Sequence, residues 1–128
     1  MPLDISIKRQ THGNHDITLT VELGGSLDTA TAPQLEKQLT TALDAEVKDL
    51  IFDLARLTFI SSAGLRVFAA TRKFLKQQGE QVSFVNLQPQ IREVFEIVKA
   101  LPGVSVFGSI AEFDAYLAAR QRRVVEGE

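Results

Sequence analysis

The residues of this chain best placed for chemistry are two neighbouring hydroxyls, Ser61 and Ser62, in the run Phe59-Ile60-Ser61-Ser62-Ala63-Gly64-Leu65. The apolar stretch Asp49-Leu50-Ile51-Phe52-Asp53-Leu54 before them reads as a strand, and Leu65, Phe68, Ala69 and Leu75 after them have helical spacing. The serines therefore fall where a loop becomes a helix. Ser61 suits the N-cap, its oxygen accepting from the amide of Ala63 or Gly64. Ser62 follows in the first turn with its hydroxyl pointing outward. Amides at a helix start are unpaired and partly positive, so a phosphate added there would be stabilised. Two readings stand side by side, a phosphorylatable serine and a plain helix cap. Spacing alone favours the cap, because serines cap helices far more often than they switch them.

The elements that must position this junction can be read in order. Leu3, Ile5 and Ile7 mark a strand over 3–8, and the polar run from Gln10 to Asp16 is a turn in which Gly13 and Asn14 can take positive φ. Ile17, Leu19, Val21 and Leu23 alternate with polar residues, a half-buried strand that pairs with the first as a hairpin and ends at Gly24-Gly25. After a loop holding Asp28, Thr31-Ala32-Pro33-Gln34 forms a capping box, and Leu35, Leu39 and Leu43 stripe a helix to about Asp44. Leu50-Ile51-Phe52 lacks alternation, which predicts a central, parallel strand buried on both faces. The helix from Ser62 stops near Gly79, and Val82, Phe84 and Val85 make the next strand. Pro89 opens a helix with Ile91, Val94, Phe95 and Val98 on its apolar face, broken by Leu101-Pro102-Gly103. Val104, Val106 and Phe107 suggest a final strand. Ser109-Ile110-Ala111-Glu112 is a second capping box, for a helix that buries Ile110, Phe113 and Leu117 and leaves a frayed polar tail over 120–128. This alternation predicts an α/β fold, a mixed, mostly parallel sheet of about five strands with about four helices.

Composition narrows the function. A length of 128 residues with 45% hydrophobic and 23% charged content suits one soluble globular domain able to bury its own core. A net charge of −2 lacks the basic footprint of direct nucleic-acid binding. Cysteine is absent, which excludes disulfides and thiolate metal sites. Neither a secretory signal nor an apolar run of membrane-spanning length is evident, so a cytoplasmic location away from the membrane is the expectation.

Two blocks of the chain resemble the STAS family, the anti-sigma factor antagonists of bacterial partner switching. Phe59-Ile60-Ser61-Ser62-Ala63-Gly64-Leu65-Arg66-Val67 is similar to the family's phosphorylation-site motif, and Gly25-Ser26-Leu27-Asp28-Thr29-Ala30-Thr31-Ala32-Pro33-Gln34-Leu35 to its upstream block. Asp53, at the expected end of the strand before the motif, is a third match, and the likeness covers roughly Asp4 to Leu117. The resemblance implies one compact STAS domain over 1–128 with Ser62 as phosphate acceptor and Ser61 as the second candidate. Ser61 stands where the best-known sporulation members carry an aspartate, and Ala63 where they carry a serine. The resemblance also implies a partner surface built from Gly25, Asp28 and Thr29 together with Ser61, Ser62, Ala63, Gly64, Leu65 and Arg66. Asp28 equally suits a plain loop anchor, and Asp53 a structural support for the serine loop. The implied partners are an anti-sigma factor serine kinase of the histidine-kinase-like ATPase type and a metal-dependent serine phosphatase.

Other chemistry fits less well. A serine hydrolase needs a base beside its nucleophile, yet the only histidines, His12 and His15, fall in the predicted hairpin turn, and Ile60 replaces the first glycine of a G-x-S-x-G elbow. His12, His15 and Asp16 lack a further well-placed donor for a metal. Gly24-Gly25-Ser26 lacks the spacing and lysine of a phosphate-binding loop, although some STAS domains have been linked to nucleotide binding. Arg66 and Arg72 read as exposed cations, and Arg120, Arg122 and Arg123 as a solvated tail. The expectation is thus a switch protein without catalysis of its own and without a cofactor. The alternatives are a STAS-type ligand or nucleotide sensor, or a non-switching scaffold subunit of a signalling complex.

Overall fold

Alternation along the second strand sets the architecture. In the computed structural model, which describes residues 2–100 and 109–127, β1 (Leu3–Thr11) pairs antiparallel with β2 (Ile17–Leu27), Ile5 opposite Leu23 and Ile7 opposite Val21. β2 runs parallel to β3 (Val47–Ile60), and β3 parallel to β4 (Gln81–Val85), so the described sheet has the order β1-β2-β3-β4. Parallel neighbours need crossovers. α1 (Ala32–Ala42) supplies the first and α2 (Ser62–Gln77) the second, followed by α3 (Pro89–Ala100) and α4 (Ile110–Val125). The expected breaker Leu101-Pro102-Gly103 and the strand through Val104, Val106 and Phe107 lie outside the described residues.

Burial alternates along the strands. Leu19, Val21 and Leu23 of β2, with Leu50, Phe52 and Leu54 of β3, are buried; Thr18, Thr20, Ile51 and Asp53 between them are only half-buried. β3 is central and parallel as expected, but the expectation of burial on both faces fails, because the helices cover one face only. On that face the rings of Phe52, Phe68, Phe84 and Phe95 join β3, α2, β4 and α3, with centroids 4.8 Å apart for Phe52–Phe68 and 5.2 Å for Phe84–Phe95. Each such pair adds about 0.5–1.5 kcal/mol beyond the area it buries.

Several boundaries differ from the sequence reading. β2 does not end at Gly24-Gly25 but continues to Leu27 through two register shifts, with Gly25 at φ +91°. A side chain there would also meet the Pro2 carbonyl oxygen, 2.2 Å from an ideal Cβ. In the β1–β2 turn the positive φ falls on His15 (69°) rather than Gly13 or Asn14, and Asn14 instead bonds Asp16 through both its amide groups. α1 is not held by a capping box: the Thr31 hydroxyl donates to Ser26 O (2.8 Å) and accepts from Asp28 N (2.9 Å), while Gln34 reaches Leu3 O. Val98 and Ile110 are exposed instead of packed.

Other expectations hold. α2 ends in paired bonds from Gly79 N to Lys76 O and Glu80 N to Leu75 O, with Gly79 at φ +78°, a Schellman stop. Ser109 caps α4 by accepting from Glu112 N at 3.1 Å. The helix does not fray at Arg120, however, and runs to Val125 with Gln121 buried.

β4 pairs only with Asp49–Asp53, so the backbone of β3 beyond that point needs other partners. Side-chain amides supply them. Gln88 Nε2 donates to Ala55 O (2.7 Å), Gln90 Nε2 to Thr58 O (3.1 Å), and Gln121 bonds both the N–H and the carbonyl of Ile60 (2.9 and 2.8 Å).

Candidate functional site

The two parallel strands β2 and β3 finish side by side, Leu27 opposite Ile60, and this juxtaposition builds the site. Ser61 N donates to Leu27 O at 2.9 Å, tying the α2 junction to the end of β2. The chain can turn so tightly because residue 64 is glycine. A Cβ on Gly64 would lie 2.6 Å from Leu27 Cγ and 2.8 Å from its Cδ2, so the first turn of α2 rests directly on β2. The end of β2, the Asp28 loop after it and the serine junction are thereby neighbours.

Asp28 acts as an anchor within that loop. Its Oδ1 accepts from Ala30 N (2.9 Å) and Thr31 N (3.1 Å). Thr29 is exposed, Gly25 lies half-buried in β2, Ala63 and Gly64 are buried, Leu65 is half-buried and Arg66 is exposed. The accessible part of the expected surface is therefore narrow, centred on Thr29 and Arg66. Asp53 is not at a strand end. It sits within β3, where its Oδ1 accepts from Ala55 N and Asn86 Nδ2, so it braces the β3–β4 pair rather than the serine loop.

The serines themselves depart from expectation. Ser62 is only 7% exposed, and its hydroxyl does not point to solvent: Oγ donates to Asp114 Oδ2 at 3.0 Å, and its amide donates to Asp114 Oδ1 at 2.8 Å. Asp114 belongs to α4, so a carboxylate from the last helix sits at the positive end of α2, where a helix stabilises an anion. Ser61 occupies the N-cap in extended backbone (φ −107°, ψ 178°) but makes no side-chain cap. Its Oγ is buried without a partner among the described residues, which costs about 1–3 kcal/mol.

α4 is held at further points. Gln121 clamps Ile60, and Arg120 bonds Glu93 of α3 through Nε (3.1 Å) and Nη2. The hydrogen bond to Glu93, together with the Glu93 charge, pushes the Arg120 pKa up from the ordinary arginine value. Arg120 is thus a tie between helices and not part of a solvated tail. His12 bonds Thr18 through Nε2, and no group of three or more metal-ligating side chains occurs among the described residues.

Asp114 and Gln121 were missed by sequence reasoning. A signal for Gln121 existed: it follows Leu117 by one helical repeat, as Leu117 follows Phe113, so a polar residue stands on the buried stripe. Nothing local marked Asp114.

This chain matches the STAS domain over residues 7–113 and belongs to that family. BtrV of Bordetella bronchiseptica, named as a candidate anti-sigma factor antagonist, is 43% identical over 75 residues, covering 59% of this chain and 65% of that relative. The anti-sigma-B factor antagonist of Staphylococcus aureus is 32% identical over 77 residues, covering 60% of this chain and 71% of its own. The solved anti-sigma factor antagonist of Mycobacterium paratuberculosis superposes with a TM-score of 0.58 at 25% identity, covering 77% of this chain and 84% of that one. No helix among the described residues is long and apolar enough to cross a membrane.

Proposed function

We propose that this chain is an anti-sigma factor antagonist controlled at Ser62. Unphosphorylated, it binds an anti-sigma factor that is also a serine kinase of the histidine-kinase-like ATPase type, and so frees a sigma factor. The kinase transfers the terminal phosphoryl group of ATP to Ser62 Oγ: the bridging O–P bond breaks, an Oγ–P bond forms, ADP leaves and the hydroxyl proton passes to a base. A metal-dependent serine phosphatase reverses the modification. The chain itself supplies a docking surface and an acceptor, without catalysis, in the cytoplasm.

The observation that carries this reading is the position of Ser62, in the first turn of α2 beside the loop that follows β2. The names of the Bordetella and Staphylococcus relatives support the antagonist role. A phosphate adds about −1.5 to −2 charges at neutral pH, and a coupling of about 3 kcal/mol changes partner affinity more than a hundredfold.

The burial of Ser62 favours a second reading, a non-switching scaffold subunit. Recovery of partners on the unphosphorylated chain, followed by phosphosite mapping, separates the two. The switch predicts phosphate on Ser62, retention of the partner by Ser62→Ala and its loss by Ser62→Glu. Partner binding indifferent to both substitutions, with no phosphate on Ser62, supports the scaffold.

A further inference from the structure

The Ser62 oxygen is covered by the chain's own last helix, and the group covering it carries the same sign of charge as a phosphate. We propose that α4 is an intramolecular latch: closed, it withholds the Ser62 hydroxyl through Asp114, and negative charge on Ser62 releases its N-terminal half. This deepens the reading of Ser62 as a phosphate acceptor and rests on it.

The closed geometry uses one carboxylate for two tasks. Asp114 takes the Ser62 amide and the Ser62 hydroxyl together, at 2.8 and 3.0 Å. Beside it Phe113 and Leu117 are buried, and further along Gln121 satisfies both backbone groups of Ile60. The hydroxyl of a buried serine, hydrogen-bonded to a carboxylate, cannot meet the terminal phosphorus of a nucleoside triphosphate in line. Asp114 must leave before the phosphoryl group arrives.

Once the phosphate is in place, Asp114 cannot return. Two anions would share the 3.0 Å now bridged by the hydroxyl proton, and the phosphate offers more oxygens and more charge to the amides at the start of α2. The closed form also leaves the Ser61 hydroxyl buried and unpartnered in N-cap backbone geometry. Opening gives that hydroxyl access to water or to the amides of the first turn. The release is local, because Gln121 and the Arg120–Glu93 tie hold the C-terminal half of α4 independently of Asp114. Coupling is reciprocal at equilibrium, so anything that lifts α4 favours the phosphorylated state of Ser62 by the same factor by which phosphate favours the lifted helix.

The test compares the wild type with Ser62→Ala, Ser62→Glu, Asp114→Asn and Asp114→Ala by amide hydrogen exchange. Ser62→Glu is expected to raise exchange over 110–117 by about tenfold relative to Ser62→Ala while 118–125 changes little. Both Asp114 variants are expected to raise exchange of the Ser62 amide. Equal protection of α4 in Ser62→Glu and Ser62→Ala overturns the latch, and if Ser62→Glu does not fold, an unchanged Ser62 amide in the Asp114 variants does so instead. With the kinase recovered on the unphosphorylated chain, Asp114→Asn is expected to be phosphorylated about tenfold faster than wild type, an acceleration that mere structural damage would not produce. A slower rate overturns the latch and makes Asp114 an aid to transfer. Exchange effects as expected, with no phosphate on Ser62 in any variant, support the latch contact while the phosphorylation reading alone fails.

Discussion

At the scale of single residues, Gly64 and Ser61 have opposite consequences for stability. Ala at 64 gains about 1 kcal/mol of helix propensity but overpacks the fully buried Leu27 at a cost of about 1–3, so a net loss of about 0–2 kcal/mol is expected. A lowered thermal midpoint in Gly64→Ala checks it, and a rise would mean that Leu27 can move aside. Ser61→Ala tests the orphan hydroxyl. If Ser61 capped α2 through its side chain, alanine would cost about 0.5–2 kcal/mol. Because its Oγ has no partner, stability is expected to stay level or rise by up to about 1 kcal/mol, read from the denaturant midpoint.

Among the elements, β3 depends most on side chains borrowed from elsewhere. It outruns β4 by the whole segment that leads into the serines, and Gln88, Gln90 and Gln121 take up its backbone groups. An unpaired strand edge invites pairing with another chain, and the glutamines block it. Gln121→Leu keeps the volume but orphans the Ile60 N–H and carbonyl, so a loss of about 2–4 kcal/mol is expected in urea denaturation. A loss below about 0.5 kcal/mol would show that water reaches Ile60 once the amide is gone. The loop between β2 and α1 relies on Asp28 in the same way, and Asp28→Ala is expected to cost about 1–2 kcal/mol, since two amides lose one carboxylate.

For the whole molecule, apolar packing and not charge holds the fold together. The ion pairs among the described residues, such as Lys8–Glu22, Arg9–Asp44 and Arg120–Glu93, are all at least partly exposed, and pairs of that kind contribute about 0–1 kcal/mol each. The thermal midpoint is therefore expected to shift by only a few degrees between low and molar salt. A large fall would mean that charge contributes more to the fold than these exposed pairs account for.

What the sequence determined by itself was whatever repeats locally or is carried by a short motif. Alternation located β2, helical spacing located α2 and α3, Gly79 and Ser109 fixed two helix ends, and the two family blocks singled out the serines and the Asp28 loop. The tertiary structure decided what depends on distant partners. Strand pairing carried β2 past Gly24-Gly25 and β3 on to Ile60, and the one-sided helix layer left Ile51 half-buried. Above all, it brought Asp114 onto Ser62 and Gln121 onto Ile60, across sequence separations of 52 and 61 residues. Hydrophobic periodicity records which side of an element is buried, but not which polar group from another element will meet it there. The burial of the Ser62 hydroxyl was settled by how α4 docks.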